Sequence, residues 1–191
     1  MFRFLGALFS LLPCLIMMSS GLFGQSKFES ETRVSLSEVP SQAASYMSSI
    51  EKANKVRWYR EESQLGITFE AKTRIKDFWY SIEFDSSGFF LDIEKTVHLH
   101  DLDQDLVRTI EDGFNTLFKR YRILKVQQQF LISETGFQAF LRAGMDYQHL
   151  ECIVRGEQKG EIGNFEILLT RDGRVKEVLE VDDRPTDNME F

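Results

Sequence analysis

Two stretches of the chain carry apolar residues at the spacing of one helical face. They are Ala43, Met47 and Ile50 in the first stretch and Leu106, Val107, Ile110, Phe114 and Leu117 in the second. Pro40 suits the first position of a helix, so the first stretch predicts a helix over residues 40–53. Asp103 can serve as the N-cap of the second helix, which we expect over residues 104–119.

Apolar and polar residues alternate after each predicted helix, which is the pattern of half-buried β-strands. The predicted strands lie at residues 56–61 and 65–73 with a hairpin over residues 80–96, and at residues 122–132 and 147–155 with a hairpin over residues 165–181. Gly88 and Gly173 stand at the two hairpin turns. Each half of the chain is therefore predicted to contain one helix and four antiparallel strands.

The same order of elements in both halves indicates an internal repeat. Residues 34–40 and 80–88 align with residues 97–103 and 165–173 respectively. An extra segment at residues 133–146 separates two strands of the second half, and its apolar spacing fits a short amphipathic helix. We therefore expect an α+β fold of two tandem helix-plus-antiparallel β-meander units, with the helices packed on one face of the sheet. The other face is expected to be open to solvent or to a partner.

The beginning of the chain has the pattern of a secretory leader, with Arg3, an apolar run over residues 4–18 and small residues after it. We place the signal peptide at residues 1–24, with a cut after Gly21 as the alternative. A retained membrane anchor is disfavoured because the run is shorter than the roughly 20 residues that span a bilayer. Lipidation at Cys14 is disfavoured because the apolar run continues beyond it. The mature chain is expected in the periplasm or secreted, without membrane insertion.

Composition narrows the class of partner. The formal net charge of the full chain is −7, and the chain has no Lys/Arg cluster, which argues against nucleic acid or anionic lipid. Removal of the leader would leave Cys152 without a second cysteine, so export here does not imply a disulfide scaffold. The predicted parts are a signal peptide (1–24), an N-terminal linker (25–35), a first repeat (36–97), a second repeat (98–182) with the insertion (133–146), and a flexible tail (183–191).

The motifs at both ends of the first unit resemble those of a known family. Val39-Pro40 matches a Leu-Pro or Val-Pro helix start, and Phe84-Asp85-Ser86-Ser87-Gly88 matches a strand that runs into Phe-Asp-x-x-Gly. With these motifs the chain resembles the PepSY-like family of exported bacterial proteins, whose fold is similar to that of β-lactamase-inhibitor protein. In the second unit, Leu102-Asp103 replaces the proline form and the Phe-Asp pair before Gly173 is missing. The resemblance implies a fold, a tandem repeat of a helical segment and a four-stranded antiparallel sheet. A role in inhibiting exported enzymes is only suggested.

A polar cluster at the start of the second unit is a candidate metal site. On an extended segment, His98 and His100 would point to the same side, and Asp101 follows them, so these three residues could bind zinc or a similar ion. The competing explanation is structural, because carboxylates at a strand-to-helix junction cap the helix and interact with its dipole. A calcium loop starting at Asp101 is disfavoured because Leu106 stands where such a loop requires glycine.

Aromatic residues of the first unit form a candidate protein-binding patch. If Tyr80 and Phe84 face the core, Trp79 points to the opposite face of its strand. Tyr59, Trp79 and Phe90 would then be available on an open sheet face. The alternative is that a covering segment, such as residues 133–146, buries these aromatics.

The sequence contains no recognisable catalytic constellation, phosphate-binding glycine loop or paired-cysteine metal motif. We therefore predict a non-enzymatic exported protein-binding module without a cofactor, acting as an inhibitor or scaffold of an envelope or secreted enzyme. The alternative hypotheses are a metal- or small-ligand-binding periplasmic sensor that uses His98, His100 and Asp101, and an uncharacterised hydrolase.

Overall fold

The computed structural model describes residues 26–27, 29–50, 53–64, 66–131, 140–141 and 144–181. The predicted signal peptide (1–24), the predicted tail (183–191) and most of the predicted insertion (133–146) lie outside the described residues. No helix among the described residues is long and apolar enough to cross a membrane.

The described part of the chain contains ten strands and two α-helices. The strands are β1 (Ser26–Lys27), β2 (Glu29–Val34), β3 (Asn54–Ser63), β4 (Gly66–Ile75), β5 (Phe78–Asp85), β6 (Phe90–Val97), β7 (Arg120–Phe130), β8 (His149–Gln158), β9 (Glu161–Thr170) and β10 (Val175–Val181). The helices are α1 (Ser41–Ser48), between β2 and β3, and α2 (Gln104–Leu117), between β6 and β7. Short 3-10 turns at Leu36–Glu38 and Leu99–Asp101 precede them.

Local hydrogen bonds set where the helices begin and end. The predicted N-cap of α2 is confirmed, because the Asp103 carboxylate accepts hydrogen bonds from the backbone N–H groups of Asp105 and Leu106. Helix α1 is shorter than predicted, ending at Ser48. At its end the Ser49 hydroxyl donates to the carbonyl oxygen of Tyr46 at 2.7 Å, which satisfies a terminal carbonyl of the helix.

The β5–β6 turn shows why the Phe-Asp-x-x-Gly motif is useful here. Asp85 Oδ1 accepts hydrogen bonds from the backbone N–H groups of Ser87 (2.8 Å) and Phe89 (2.9 Å). Gly88 has a φ of +88°, a conformation that favours glycine. A Cβ atom at this position would also lie 2.9 Å from the Cβ atom of Pro40. The glycine therefore allows the hairpin to approach the start of α1 closely.

The expected fold class, two tandem helix-plus-meander units with helices packed on one face of the sheet, is wrong, because the described strands form one sheet and not two separate units. Strand β6, which ends the predicted first unit, pairs antiparallel with β7, which begins the sheet of the predicted second unit. Strands β2 to β10 therefore form one antiparallel array, to which β1 adds in parallel. The physical reason is that a separate four-stranded meander would leave the backbone groups of its edge strand unpaired.

The N-terminal segment contacts both ends of this array. Strand β1 pairs in parallel with β10, whereas β2 pairs antiparallel with β3. Because a single residue separates β1 from β2, at most about 7 Å of chain joins them. The two ends of the array are therefore close together, and the sheet curls back on itself. The segment predicted as a linker is part of this sheet.

Ionic interactions across several strands identify the inner face of the curled sheet. The Lys72 ammonium on β4 donates to Glu31 Oε1 on β2 at 2.7 Å, across the intervening β3. The charge of Lys125 on β7, five strands away from β2 in the sheet order, also acts on Glu31. In a flat sheet five strand spacings would amount to about 24 Å. We call the face that carries these three residues the inner face.

The outer face carries two apolar clusters, which also include the buried residues of the helices. The first contains Ala43, Tyr46 and Met47 of α1 with Trp58, Phe69, Ala71, Ile82, Phe84, Ile93 and Phe130 of the strands. The second contains Ile110 and Phe114 of α2 with Val126, Leu150, Cys152, Val154, Ile167 and Leu169. Phe140, from the predicted insertion, belongs to the first cluster, and its ring lies 4.6 Å from that of Phe130. The apolar side chains of the alternating strands in these clusters therefore point to the outer face.

Candidate functional site

The structure brings two of the three predicted aromatic residues to the same face. Tyr59 pairs with Glu70, and Trp79 pairs with Arg74, so both point to the inner face with Lys72. Phe90 lies elsewhere, because it packs against the first apolar cluster, with ring centroids 5.7 Å from Tyr46 and 6.1 Å from Phe84. The structure therefore does not place Phe90 beside Tyr59 and Trp79.

Trp79 is half-buried and belongs to neither apolar cluster of the described residues. The guanidinium group of Arg57 lies over its ring, 5.1 Å from the ring centroid. Stacking of this kind holds both side chains in place while leaving part of the indole accessible. Phe140 contacts Tyr80 (6.1 Å between centroids), which faces the opposite side of β5. This described part of the predicted insertion therefore lies on the other side of the sheet from Trp79.

Tyr59 is buried within a network of charged groups. The Lys72 ammonium lies 4.5 Å from the centroid of the Tyr59 ring, 2.7 Å from Glu31 Oε1 and 3.0 Å from Glu70 Oε2. Glu31, Glu70 and Lys72 are all more than nine-tenths buried. Tyr59 therefore forms part of the wall of a buried ionic network, whereas Trp79 is the more accessible of the two aromatics.

Burial and the nearby negative charge of Glu70 together raise the pKa of Glu31 to about 7, against the opposing effect of Lys72. The pKa of Lys72 is also raised: burial opposes its charge, but the two carboxylates favour it. Lys72 therefore remains a cation at neutral pH, while Glu31 is divided between its protonated and ionised forms. The ion pair has more carboxylate than ammonium around it.

A second group of polar residues continues the inner face across β6 and β7. Gln127 Nε2 donates to Glu94 Oε2 at 2.7 Å, and Gln129 Nε2 donates to Asp92 Oδ2 at 2.9 Å. Burial raises the pKa of Glu94 to about 7, with Lys125 acting to lower it and acidic neighbours including Glu70 raising it. The inner face thus holds two carboxyl groups that titrate near neutral pH.

The predicted His98, His100 and Asp101 cluster lies at the 3-10 turn before α2. The two imidazole rings stack with their centroids 5.0 Å apart, and His100 Nε2 lies 3.4 Å from Asp101 Oδ1. Asp101 Oδ2 accepts a hydrogen bond from the backbone N–H of His98 at 3.4 Å. Glu38 makes the corresponding interaction with the backbone N–H of Ser35 at 2.9 Å. The carboxylate of Asp101 therefore has a local structural partner, as the competing explanation expected.

One other group of possible metal ligands occurs among the described residues. Ligand oxygens of Glu31, Glu61 and Glu70 lie within 4.8 Å of one another, on adjacent strands β2, β3 and β4. The sequence reasoning did not single out this group. The alternation in Glu70-Ala71-Lys72 could have placed Glu70 and Lys72 on one face, but Glu31 lay in a segment predicted to be a linker.

His149 and Cys152 occupy positions that do not suit nucleophilic catalysis. Burial raises the pKa of the Cys152 thiol to about 12, with the charge of Glu151 adding to the effect, so the thiol stays protonated at neutral pH. His149 Nδ1 contacts Gln129 Oε1 at 3.2 Å, and His149 Nε2 contacts Lys176 Nζ at 3.0 Å. These contacts link β8 to the neighbouring strands β7 and, through Lys176, to β10.

No family model matches the chain, and no curated protein matches it. A solved structure of a DUF2874 family protein from Bacteroides ovatus is similar in fold, with a TM-score of 0.53 and 13% sequence identity, over 79% of this chain and 96% of the other. A BLIP-like protein from Bacteroides fragilis is similar with a TM-score of 0.49 and 13% identity, over 77% of this chain and 92% of the other.

These comparisons concern the fold. The chain is similar in fold to the DUF2874 family protein. At 13% identity the likeness carries no information about substrates or partners. The PepSY-like resemblance and the internal repeat stay predictions from the sequence.

Proposed function

We propose that this chain is a non-enzymatic exported protein-binding module that inhibits or scaffolds an envelope or secreted enzyme. Its location would be the periplasm or the extracellular space, since the first residues have the pattern of a secretory leader. The partner would be a protein, contacted through the part of the inner face that contains Trp79. The presence of a BLIP-like protein among the structures of similar fold accords with this proposal without carrying it.

The observation that carries the proposal is the position of Trp79. It is a large aromatic residue on the face away from both apolar clusters of the described residues, and it is only half-buried. Arg57 lies over its ring. Tryptophan and arginine are enriched among the residues that contribute most to protein–protein binding, because both provide large contact areas and directional interactions. A pre-ordered Trp–Arg pair also loses little side-chain entropy on binding.

The surrounding residues would favour a specific contact over a general hydrophobic one. The inner face carries half-buried or buried polar residues on β5, β6 and β7, including Glu83, Glu94 and Gln127. A partner docking near Trp79 would have to match this pattern of acceptors and donors. Such a combination of an aromatic anchor and a polar surround is the usual composition of a specific protein interface.

The test is affinity capture from the envelope fraction of the source cell, using the mature chain as bait. Three baits are compared: the wild type, Trp79→Ala and Phe89→Ala. Phe89 is 56% exposed in the β5–β6 turn, so its variant is a matched control for the loss of an accessible aromatic residue. Circular dichroism and thermal unfolding of each bait show whether the fold is kept.

We expect a protein that is retained by the wild type and by Phe89→Ala but lost with Trp79→Ala. Truncation of a central aromatic residue in an interface costs about 2 kcal/mol or more, which is roughly thirtyfold in affinity. Equal retention by all three folded baits, or retention of no protein at all, would contradict the proposal. Loss with Phe89→Ala alone would move the binding surface to the β5–β6 turn and refute the assignment to Trp79.

A further inference from the structure

The carboxylates around Lys72 outnumber the ammonium group that contacts them. Glu31, Glu61 and Glu70 bring ligand oxygens within 4.8 Å of one another, whereas Lys72 is the ammonium that contacts two of them, at 2.7 and 3.0 Å. With all three carboxylates ionised, the group carries a formal excess of two negative charges. Burying like charges together is costly unless a further cation or proton neutralises them.

Two buried carboxylate oxygens of this group, Glu31 Oε2 and Glu70 Oε2, have no hydrogen-bond partner among the described residues, although Glu70 Oε2 lies 3.0 Å from the Lys72 ammonium. Glu31 is 7% exposed, and while its Oε1 accepts from Lys72, its Oε2 is buried and unpartnered. Buried polar atoms in native proteins are nearly always satisfied by protein, water or an ion. The unpartnered oxygen of Glu31 is an observation separate from the proximity of the three side chains, and it is suited to binding a cation.

We propose that Glu31, Glu61 and Glu70 form a binding site for a hard divalent cation, with calcium as the best-fitting ion. A carboxylate-only set of oxygen ligands is characteristic of calcium and magnesium and is poorly suited to zinc or copper. Calcium fits better than magnesium because Ca²⁺ accepts a flexible coordination geometry, whereas Mg²⁺ requires a near-ideal octahedron and gives up its water ligands reluctantly. The site goes beyond the protein-binding role and does not depend on it.

Lys72 would stay in place beside the cation as a positioning residue. Its ammonium lies 2.7 Å from Glu31 Oε1 and 3.0 Å from Glu70 Oε2, which leaves Glu31 Oε2 for the ion. A divalent cation would cancel the remaining formal charge of the group. Glu61 is half-buried, so it provides the side from which the ion and its water ligands can enter.

The site would also fasten the N-terminal segment to the sheet. Its three ligands come from β2, β3 and β4, which are neighbours in the order of strands. Strand β2 is the part of the chain that, with β1, connects the two ends of the sheet. A bound cation would therefore stabilise the curled form of the sheet against fraying of this strand.

The experiment is isothermal titration of calcium chloride into the metal-free mature chain at pH 8. The variant is Glu61→Gln, which removes the least buried ligand and leaves the Glu31–Lys72–Glu70 interaction intact. The matched control is Glu62→Gln, the exposed neighbour on the same strand, whose side chain points to the other face and pairs with Arg60. Thermal unfolding with and without calcium provides a second measurement on each protein.

We expect saturable binding of one calcium ion, with an increase in the unfolding temperature on saturation. Glu61→Gln should weaken binding by about tenfold or more, while Glu62→Gln leaves it unchanged. The proposal is overturned if the folded wild type shows no saturable binding at millimolar calcium. Equal weakening by both variants would also overturn it, since that would reflect general surface charge.

Discussion

Replacing Glu31 by glutamine should flatten the dependence of folding stability on pH. The pKa of Glu31 in the folded chain is about 7, against an ordinary value of 4.5, and the largest cause is burial. The folded state therefore holds a proton between pH 4.5 and 7 that the unfolded state has released. Stability rises with pH only where the unfolded state binds more protons, so here it must fall as the pH rises.

The size of the effect follows from the gap between the two pKa values. Below pH 4.5 Glu31 is protonated in both states, and its contribution to stability is fully present. As the pH rises through 7 that contribution is lost, and the free energy of unfolding falls by about 3 kcal/mol, at about 1.4 kcal/mol for each unit of pKa difference. Glutamine does not titrate, so Glu31→Gln removes this fall. Glu94 still titrates near pH 7 in both proteins, which means that the difference between their curves isolates Glu31.

The assay is urea unfolding followed by circular dichroism at half-unit steps from pH 4.5 to pH 8, with a chelator present so that no metal ion competes for the carboxylates. Wild type, Glu31→Gln and the exposed control Glu62→Gln are compared. We expect the wild type and the control to lose stability in parallel, while Glu31→Gln loses about 3 kcal/mol less over this range. Parallel curves for all three proteins would refute the reasoning about the buried carboxyl group.

Three further predictions concern packing. Gly88→Ala should lower the free energy of unfolding by about 1–3 kcal/mol, and by more than Gly66→Ala does. Both glycines have a positive φ, but of the two only Gly88 would bring a Cβ atom against another residue, at 2.9 Å. Equal losses in urea unfolding would argue against the close approach. Phe140→Ala should cost about 3–5 kcal/mol in the same assay, since its ring is buried in the first apolar cluster, and a loss below 1 kcal/mol would exclude that packing. Cys152, whose thiol pKa is raised to about 12, should react with a thiol reagent only after unfolding; rapid reaction of the native chain would show that the second cluster is open.

The elements that depend on neighbouring residues could be predicted from the sequence. The spacing of Ile110 and Phe114 gave α2, and Asp103 gave its N-cap, because capping and helical periodicity are local properties. The hairpin turn at Gly88 was predicted for the same reason. Helix α1 ends at Ser48, before the predicted end at residue 53, because apolar spacing at its C-terminal end does not show where the backbone stops being helical.

The assembly of the strands could not be predicted in the same way. The pairing of Ile93 with Phe130 joins β6 to β7 across the whole of α2, and no local pattern specifies such a partner. Strand β2 was missed because Glu29–Val34 contains mainly charged and hydroxyl residues, which do not show the apolar alternation of a half-buried strand. Its pairing with β3 is what brings Glu31 to the inner face.

In the candidate site too, local features could be predicted from the sequence, whereas contacts between distant residues could not. The side of β5 to which Trp79 points followed from a period of two, whereas the neighbour of its ring, Arg57, depends on the register between strands. The burial of Glu31 and Lys72 could not be predicted, because it results from the curvature of the sheet. From sequence alone, a charged residue on a strand is predicted to be exposed, because the residues that bury it are not known.

The most direct test of the proposed binding surface is hydroxyl-radical footprinting of the mature chain with and without the captured partner. The chain has two tryptophans, and Trp58 is an internal reference because it is 6% exposed in the first apolar cluster. The account predicts that the partner slows the oxidation of the half-buried Trp79 several-fold and leaves the slow oxidation of Trp58 unchanged. If the oxidation rate of Trp79 stays the same while that of Phe89 falls, the partner binds elsewhere and the account is contradicted.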